Sequence, residues 1–265
     1  MPIRLVAIDI DGTLLDRSKR ITPRTADAIA GCRRRGVRVV LASARPPRSV
    51  VDIYRRLDLE TCTINYNGAL VFDPHTREVL EHRPIDRDLA DELIRFGRAF
   101  DREVLVSVER LDRWFTDRVD DRYQTETARH FHPDRLGPID EWLTEPITKL
   151  MFLGEPAMVT ALSGRLGAVF ARRIAMVQTD TFMVQLMHPR ASKAVSLRRV
   201  CTRYGIDPSE VMAIGDAAND VGMIQWARVG VAMGHAPDLV IRAADYVAAG
   251  NDHDGAAEAI ERYVL

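Results

Sequence analysis

Lysine is almost missing from this 265-residue chain. Of its 37 basic residues, only Lys19, Lys149 and Lys193 are lysine; the others are arginine. The skew reflects coding bias more than function, but it makes each ammonium group easy to follow. Cysteine is as scarce. Cys32, Cys62 and Cys201 are odd in number and form no C-x-x-C pair, which argues against a disulfide framework or a zinc knuckle and fits a reducing compartment. No excess of charge exists either. The formal net charge of -1 gives no overall attraction to nucleic acid or to an anionic membrane surface. Long apolar runs are lacking: no stretch approaches the roughly 20 apolar residues of a membrane span. The short run at the N-terminus is broken by Asp9 and Asp11, unlike the core of a signal peptide. No internal repeat or low-complexity tract occurs. Together these absences predict a cytoplasmic globular protein with neither nucleic acid nor membrane as partner, a monomer or a homodimer.

What is present suffices for a large core. Hydrophobic residues make up 46% of the chain and charged residues 28%, ordinary values for a globular protein, and the length fits one large domain or two smaller ones. Both ends of the chain show short apolar runs followed by helix signals. Leu5 to Ile8 is a strand-like run that stops at Asp9. Thr22-Pro23 reads as an N-cap with proline in the first turn, opening a helix with Ala26, Ile29 and Ala30 on one face and Gly36 as its stop. Val37 to Leu41 and Cys62 to Ile64 read as the second and third strands. After residue 188 the pattern resumes. A helix is expected from Ser192 to Tyr204, closed by Gly205, with a further turn capped by Asp207-Pro208. Strands follow at Val211–Ile214 and Val229–Ala232, and Asp254-Gly255 opens a last helix through Ile260. Such alternation predicts an α/β fold with a mostly parallel, Rossmann-like sheet covered on both faces.

The middle of the chain reads differently. Val104–Val108 with Trp114–Thr116 suggests a hairpin, Ile147–Leu153 a strand and Ala157–Phe170 a helix. Ile174–Val177 with Phe182–Met187 suggests a second hairpin around Thr179-Asp180. The expected organisation is therefore a core of residues 1–83 and 188–265 interrupted by an α+β insert of residues 84–187, with boundaries near Arg83-Pro84 and His188-Pro189.

Chemistry gathers at the expected strand ends, where open α/β sheets bind ligands. Strand one delivers Asp9-Ile10-Asp11-Gly12-Thr13, strand two Ser43, and the strand at Val211–Ile214 delivers Asp216, with Asn219 and Asp220 just beyond. Three convergent carboxylates (Asp9, Asp11 and Asp216) would raise one another's pKa. A hard cation with oxygen ligands removes that problem, and Mg2+ suits a few carboxylates, waters and a substrate phosphate. Phosphoryl transfer needs an in-line nucleophile, positive charge on the equatorial oxygens and a proton donor. Asp9 can be the nucleophile. Asp11, two residues on and expected to share its face along a continuing strand, can be the acid and then the base. Gly12 permits a tight turn. Lys193 offers a point charge to phosphate, Ser43 a hydroxyl, and the backbone at Gly12 and Ala44 further donors.

These residues carry a resemblance. Asp9-Ile10-Asp11-Gly12-Thr13-Leu14-Leu15 is similar to the first motif of the haloacid dehalogenase superfamily. Ala42-Ser43-Ala44-Arg45 is similar to the second, Lys193 to the third, and Gly215-Asp216-Ala217-Ala218-Asn219-Asp220 with Met223 to the fourth. Four ordered motifs make a specific signal. Asn67-Gly68-Ala69, Val231-Ala232-Met233-Gly234, and Asn251-Asp252 followed by Asp254-Gly255 narrow the resemblance to the Cof-type branch, in which a large cap domain lies between the second and third motifs. The resemblance implies an aspartyl-phosphate on Asp9, acid–base work by Asp11, and Mg2+ held by the Asp9 side chain, the Asp11 carbonyl and Asp216. It implies phosphate binding by Ser43, Ala44, Lys193 and Asn219, with Gly12 and Asp220 supporting, and with Asn219 and Asp220 orienting Lys193 or a water outside the metal's direct ligands. Ala44 and His235 depart from the pattern, standing where glycine and asparagine are common, as does Arg190-Ala191 before the lysine motif.

The function expected is thus a phosphatase of a small phosphorylated metabolite, with sugar phosphates first. A phosphomutase or phosphotransferase sharing the aspartyl-phosphate is the alternative, and a non-catalytic binding protein on the same scaffold the third. Blander readings stand beside several residues: Ser43 as a helix cap, Asn219 as a surface residue, Asn67 as a turn. His130-Phe131-His132 lacks further ligands and reads as a loop. Arg113, Trp114, Arg118, Arg122 and Tyr123 are open between substrate contacts and plain surface.

Overall fold

The structure of the chain, a computed structural model, describes residues 1–141 and 143–265, with the side chains of all of these except Asp140 and Thr179. The chain divides into two compact units, Met1–Leu80 with Ser192–Leu265, and Glu81–Ala191.

The first unit opens with β1 (Leu5–Ile8), entirely buried. Helix α1 (Pro23–Arg34) starts as its sequence signals require: the Thr22 hydroxyl accepts from the Thr25 N–H and Pro23 occupies the first turn. Its buried stripe is Thr25, Ala28, Ile29 and Cys32. This differs from the expected face, because Ala26 and Ala30 are only half-buried. Next come β2 (Arg38–Leu41), the short α2 (Val51–Arg56), β3 (Thr63–Asn65), β4 (Leu70–Asp73) and β5 (Glu78–His82), whose last two residues already belong to the second unit.

The second unit holds α3 (Arg87–Phe100), β6 (Leu105–Arg110), β7 (Arg113–Thr116), β8 (Arg135–Leu136), β9 (Lys149–Leu153), α4 (Pro156–Phe170), β10 (Ala175–Asp180) and β11 (Met183–Met187). Its sheet runs β10-β11-β9-β6-β7-β8, antiparallel throughout except for the β7–β8 pair. Val106, Val108, Leu150, Phe152, Val184 and Leu186 alternate along three strands and share one core with Leu93, Ile94, Leu162 and Leu166 of the two helices. Period-two and helical apolar spacing thus meet at one interface. The second hairpin turns at Thr181-Phe182 rather than at Thr179-Asp180. A register shift lies between Val177 and Asp180, and β10 runs three residues further than its apolar pattern suggests.

The chain then completes the first unit with α5 (Lys193–Tyr204), β12 (Val211–Gly215), α6 (Val221–Trp226), β13 (Val229–Met233), α7 (Asp238–Ile241), β14 (Tyr246–Ala248) and α8 (Gly255–Tyr263). Five strands form one parallel sheet in the order β14-β13-β12-β1-β2. The strands read as near-continuous apolar runs because both faces are covered. Val6, Ile8, Leu41 and Ile214 pack with Ile29 of α1 and Ile260 of α8. Leu5, Ala7, Val40 and Ala213 pack with Leu197 and Val200 of α5 and Met223 of α6. The third expected strand does not extend this sheet. β3 pairs with β4 in a separate three-stranded sheet with β5, and meets the parallel sheet through the single Ala42–Ile64 bridge. Among the described residues no helix is long and apolar enough to cross a membrane.

Candidate active site

The position of β1 between β12 and β2 puts its C-terminal end beside the ends of both neighbours. Asp9 follows it directly, its N–H donating to the Ile214 carbonyl at 3.0 Å. The strand does not continue. The chain turns at once, with the Leu14 and Leu15 N–H groups both bonded to the Ile10 carbonyl (3.1 and 3.0 Å) and Gly12 at φ 81°. A Cβ on Gly12 would meet Asp216 Oδ2 at 2.3 Å, so the position needs glycine for its backbone and for its neighbour alike. Thr13, the next residue, donates its hydroxyl to Asp216 Oδ1 at 2.8 Å.

Two further elements bring in the rest. Lys193 is the first residue of α5, with Ser192 at the N-cap position and no side-chain cap bond, and its stem is buried so completely that the residue is 1% exposed. Its Nζ donates to Asp9 Oδ1 at 2.5 Å and to Asp220 Oδ1 at 2.6 Å. Asp220 closes a 3-10 turn, Ala218–Asp220, just past β12. Its second oxygen accepts from the Asp216 and Ala217 N–H groups (3.2 and 3.0 Å).

Electrostatics follow from this packing. Burial raises the Asp9 carboxyl well above its ordinary range; Lys193 opposes the shift, and Asp220 and Asp216 add to it. Asp216 is raised too, by burial first, with the Thr13 hydrogen bond opposing. Burial alone would lower Lys193, but Asp220 and Asp9 outweigh it and hold the ammonium above its usual pKa. Three carboxylates thus share one ammonium. Asp9, Asp216 and Asp220 each offer an oxygen within 4.8 Å of the others, the only such group among the described residues. A buried set with this surplus of negative charge and all-oxygen donors fits a hard divalent cation. Asp220, with one oxygen on Lys193 and the other on two backbone N–H groups, is the least free of the three to ligate.

Residues 6–260 match the family model of the haloacid dehalogenase-like hydrolases. The chain belongs to that family. YxeH of Bacillus subtilis (strain 168) is 33% identical over 99% of this chain and 98% of its own length. The 5-amino-6-(5-phospho-D-ribitylamino)uracil phosphatase YitU of the same organism is 28% identical over 98% of this chain and 97% of its own. A solved haloacid dehalogenase-like hydrolase from Bacteroides thetaiotaomicron superposes with a TM-score of 0.89 at 28% identity, covering 98% of this chain and 99% of that one.

Within this haloacid dehalogenase-like site, the carboxylate that joins Asp9 and Asp216 belongs to Asp220 and not to Asp11. Because β1 ends before the turn, Asp11 loses the shared face that a continuing strand would give it. Its carboxylate instead takes Arg45 Nε on Oδ2 (2.7 Å) and Arg45 Nη2 with Lys19 Nζ on Oδ1 (both 2.6 Å). Burial pushes this carboxyl up, but Arg45 and Lys19 together hold it below its ordinary range. Ser43 is buried past the end of β2, its N–H on the Ile64 carbonyl (2.8 Å) and its Oγ accepting from the Arg45 N–H (3.1 Å). Ala44 lies between the two.

Asn219 does not reach Lys193. Its amide donates to Asn67 Oδ1 at 2.8 Å, and orienting the ammonium falls to Asp220. Tyr66 and Asn67 both take left-handed backbone, followed by Gly68 at φ 92°. A Cβ on Gly68 would lie 2.3 Å from the Ser192 carbonyl, while the Gly68 carbonyl accepts from Ser196 Oγ at 2.9 Å. The Asn67-Gly68 turn therefore packs under the start of α5 and sets where Lys193 begins. His235 Nε2 stands 3.6 Å from Asp216 Oδ2.

Thr13, Arg45 and Lys19 join the site beyond the residues to which the motifs assign a role. Thr13 and Arg45 sit inside the motifs and were legible by proximity alone; Lys19 had only its rarity to mark it. In the second unit, Arg113 pairs with Asp134 (3.5 Å) and Arg122 with Asp120 (2.7 Å), and the Trp114 indole donates to Ser107 Oγ (2.6 Å). His130 pairs with Glu126 at 3.4 Å.

Proposed function

We propose that this chain is a magnesium-dependent phosphatase that takes the phosphoryl group of a small phosphorylated metabolite, a sugar phosphate first among them, onto Asp9 and passes it to water. It is an enzyme of the phosphoric monoester hydrolase class within its family. One observation supports the finer reading: a buried carboxylate at the end of β1 touches a buried lysine and lies in an oxygen-only group with Asp216 and Asp220.

In the first step an Asp9 oxygen attacks phosphorus while the bond from phosphorus to the leaving oxygen breaks, and Asp11, which has to be protonated for this step against the pull of Arg45 and Lys19, gives that oxygen its proton. In the second, Asp11 as carboxylate takes a proton from water. The water oxygen attacks phosphorus, the bond to Asp9 breaks, and inorganic phosphate leaves. Ser43, the Ala44 N–H, Lys193 and Asn219 hold the phosphoryl oxygens, and Gly12 and Asp220 support them. Asp9, the Asp11 carbonyl and Asp216 would hold Mg2+, which when bound supplies positive charge against the carboxylates and the phosphoryl oxygens. Such monoesters need up to about 20 kcal/mol of barrier lowering, a demand suited to a nucleophile, a cation and a fixed lysine acting together.

Residues 84–187 are assigned to substrate choice. The relative YitU acts, by its name, on a phosphorylated ribitylaminouracil, which supports a substrate of that size. The buried free thiols of Cys32, Cys62 and Cys201 suit a cytoplasmic location. The test is phosphate release from a panel of esters with Mg2+, alongside Asp9→Asn. Release by the wild-type protein and none by Asp9→Asn is expected. Release that persists in Asp9→Asn removes Asp9 as nucleophile.

A further inference from the structure

Two features remain without a task in that mechanism: Lys19, and the Asn251-Asp252…Asp254 motif near the C-terminus. The structure joins them. Lys19 sits in a tight loop closed from both sides. The Asp16 N–H bonds the Arg20 carbonyl (2.9 Å), the Lys19 N–H bonds the Asp16 carbonyl (2.9 Å), and the Arg20 N–H bonds Asp16 Oδ1 (2.8 Å). Lys19 itself takes a left-handed backbone, φ 57°, which is unfavourable for a residue with a Cβ and persists only where surrounding contacts impose it.

Those contacts come from the C-terminal motif at three points. Asn251 Nδ2 donates to the Leu15 carbonyl at 2.8 Å. Asp252 accepts from the Arg17 N–H at 2.9 Å and pairs with the Arg17 guanidinium at 2.9 Å. Asp254, itself left-handed at φ 58°, accepts from the Thr22 hydroxyl at 2.5 Å. The loop from Leu15 to Thr22 is thus pinned at its start, near its middle and at its end, and what it presents is one ammonium on the Asp11 carboxylate.

We propose that Lys19 is a positioning residue for Asp11, and that Asn251, Asp252 and Asp254 act on the reaction through the loop that carries it. The inference rests on the reading of Asp11 as acid and base. Arg45 grips the carboxylate from the loop after β2, and Lys19 takes Oδ1 from the other loop. Two cations on two separately anchored loops define one orientation, where either alone leaves the carboxylate free to swing with its partner. The Lys19–Asp11 pair is about half exposed, and ion pairs of that kind add little to folding stability. Its anchoring therefore serves placement.

The experiment is a double-mutant cycle with Lys19→Met and Asn251→Ala/Asp252→Ala, with Lys19→Arg as the conservative variant and Asp11→Asn as control. Lys19→Met should lower kcat about 10- to 100-fold, as a supporting residue does, with KM and melting temperature close to wild type. Lys19→Arg should recover most of kcat. The anchor variant should lower kcat in the same manner and add little in the Lys19→Met background. A wild-type kcat in Lys19→Met, or fully additive losses, overturns the inference. Full activity in Asp11→Asn sinks the reading of the site itself, and the inference with it. If the wild-type protein hydrolyses no ester, crystal structures decide: an Asp11 carboxylate unmoved in Lys19→Met overturns the inference, and one rotated away supports it.

Discussion

Lys193 and Asp220, 27 residues apart in the chain, meet as a buried pair at 2.6 Å, with side chains 1% and 0% exposed. The same ammonium holds Asp9, so one lysine answers for two buried carboxylates.

Replacing Lys193 by Met leaves both carboxylates buried without their cation. Breaking a buried pair from one side costs about 3–5 kcal/mol, and this loss should appear in urea unfolding. Phosphate release should fall by roughly a thousandfold or more, as when one member of a catalytic set is removed. Lys193→Arg keeps the charge, but its planar fork does not reproduce two short contacts made by one nitrogen. It should recover part of the stability and little of the activity. An unchanged urea midpoint in Lys193→Met would show that the pair carries no net weight.

The raised pKa values of Asp9 and Asp216 make stability depend on pH and on metal together. A carboxyl raised in the folded state binds its proton more tightly there than when unfolded. Its contribution is fully present below the unfolded value near 3.8 and is lost as pH rises through the raised folded value. Metal-free protein should therefore lose stability from these two groups between mild acid and neutrality. Added Mg2+ should raise the melting temperature more at neutral pH than in mild acid, since ligation needs the deprotonated form. Melting curves with EDTA and with Mg2+ across that range test this; a metal effect that shrinks toward neutral pH contradicts it.

Gly68→Ala should be costly out of proportion to its size. The position is left-handed at φ 92°, and the new Cβ would lie 2.3 Å from a backbone carbonyl, that of Ser192. We expect a loss of about 2–3 kcal/mol, with a fall in activity because Lys193 is the next residue. Gly36→Ala is the control: also left-handed at φ 72° but with nothing within 4 Å, it should cost only about 1 kcal/mol. Equal losses at the two positions would mean that backbone strain, and not the approach to Ser192, sets the requirement.

The parallel core was legible because each cue was local and agreed with its neighbours. Thr22-Pro23 opens α1, Gly205 closes α5 at φ 63°, and the apolar runs at Leu5–Ile8 and Val211–Gly215 pair in register. Less legible was whatever depended on where a strand stops. Asp11 was expected to follow Asp9 onto one face. The turn at Gly12 sends it to Arg45 and Lys19, and Asp220 takes the place beside Asp9 and Asp216. α3 and the pair β4–β5 lie outside the sequence reading: Asp86 stands at the N-cap of α3 but makes no side-chain cap bond, and neither segment carries a residue with evident chemistry. Lys19 was passed over because its role depends on a loop pinned by residues more than 230 positions away, which no local pattern reveals.

The contact between Asp9 and Lys193 spans 184 residues of chain, and β1 needs β12 as well as β2 at its sides. A nascent chain leaving the ribosome thus exposes Asp9 first and its partners last. At about 5–20 residues per second, Asp9 waits about 10–40 seconds for its lysine. Throughout that interval one edge of β1 is open for pairing, while the inserted segment, whose strands and helices share a core drawn, among the described residues, from positions 85–186, can already fold. The group of Asp9, Asp216 and Asp220 is therefore assembled late: a product truncated anywhere before β12 carries Asp9 but neither Asp216 nor Asp220 beside it.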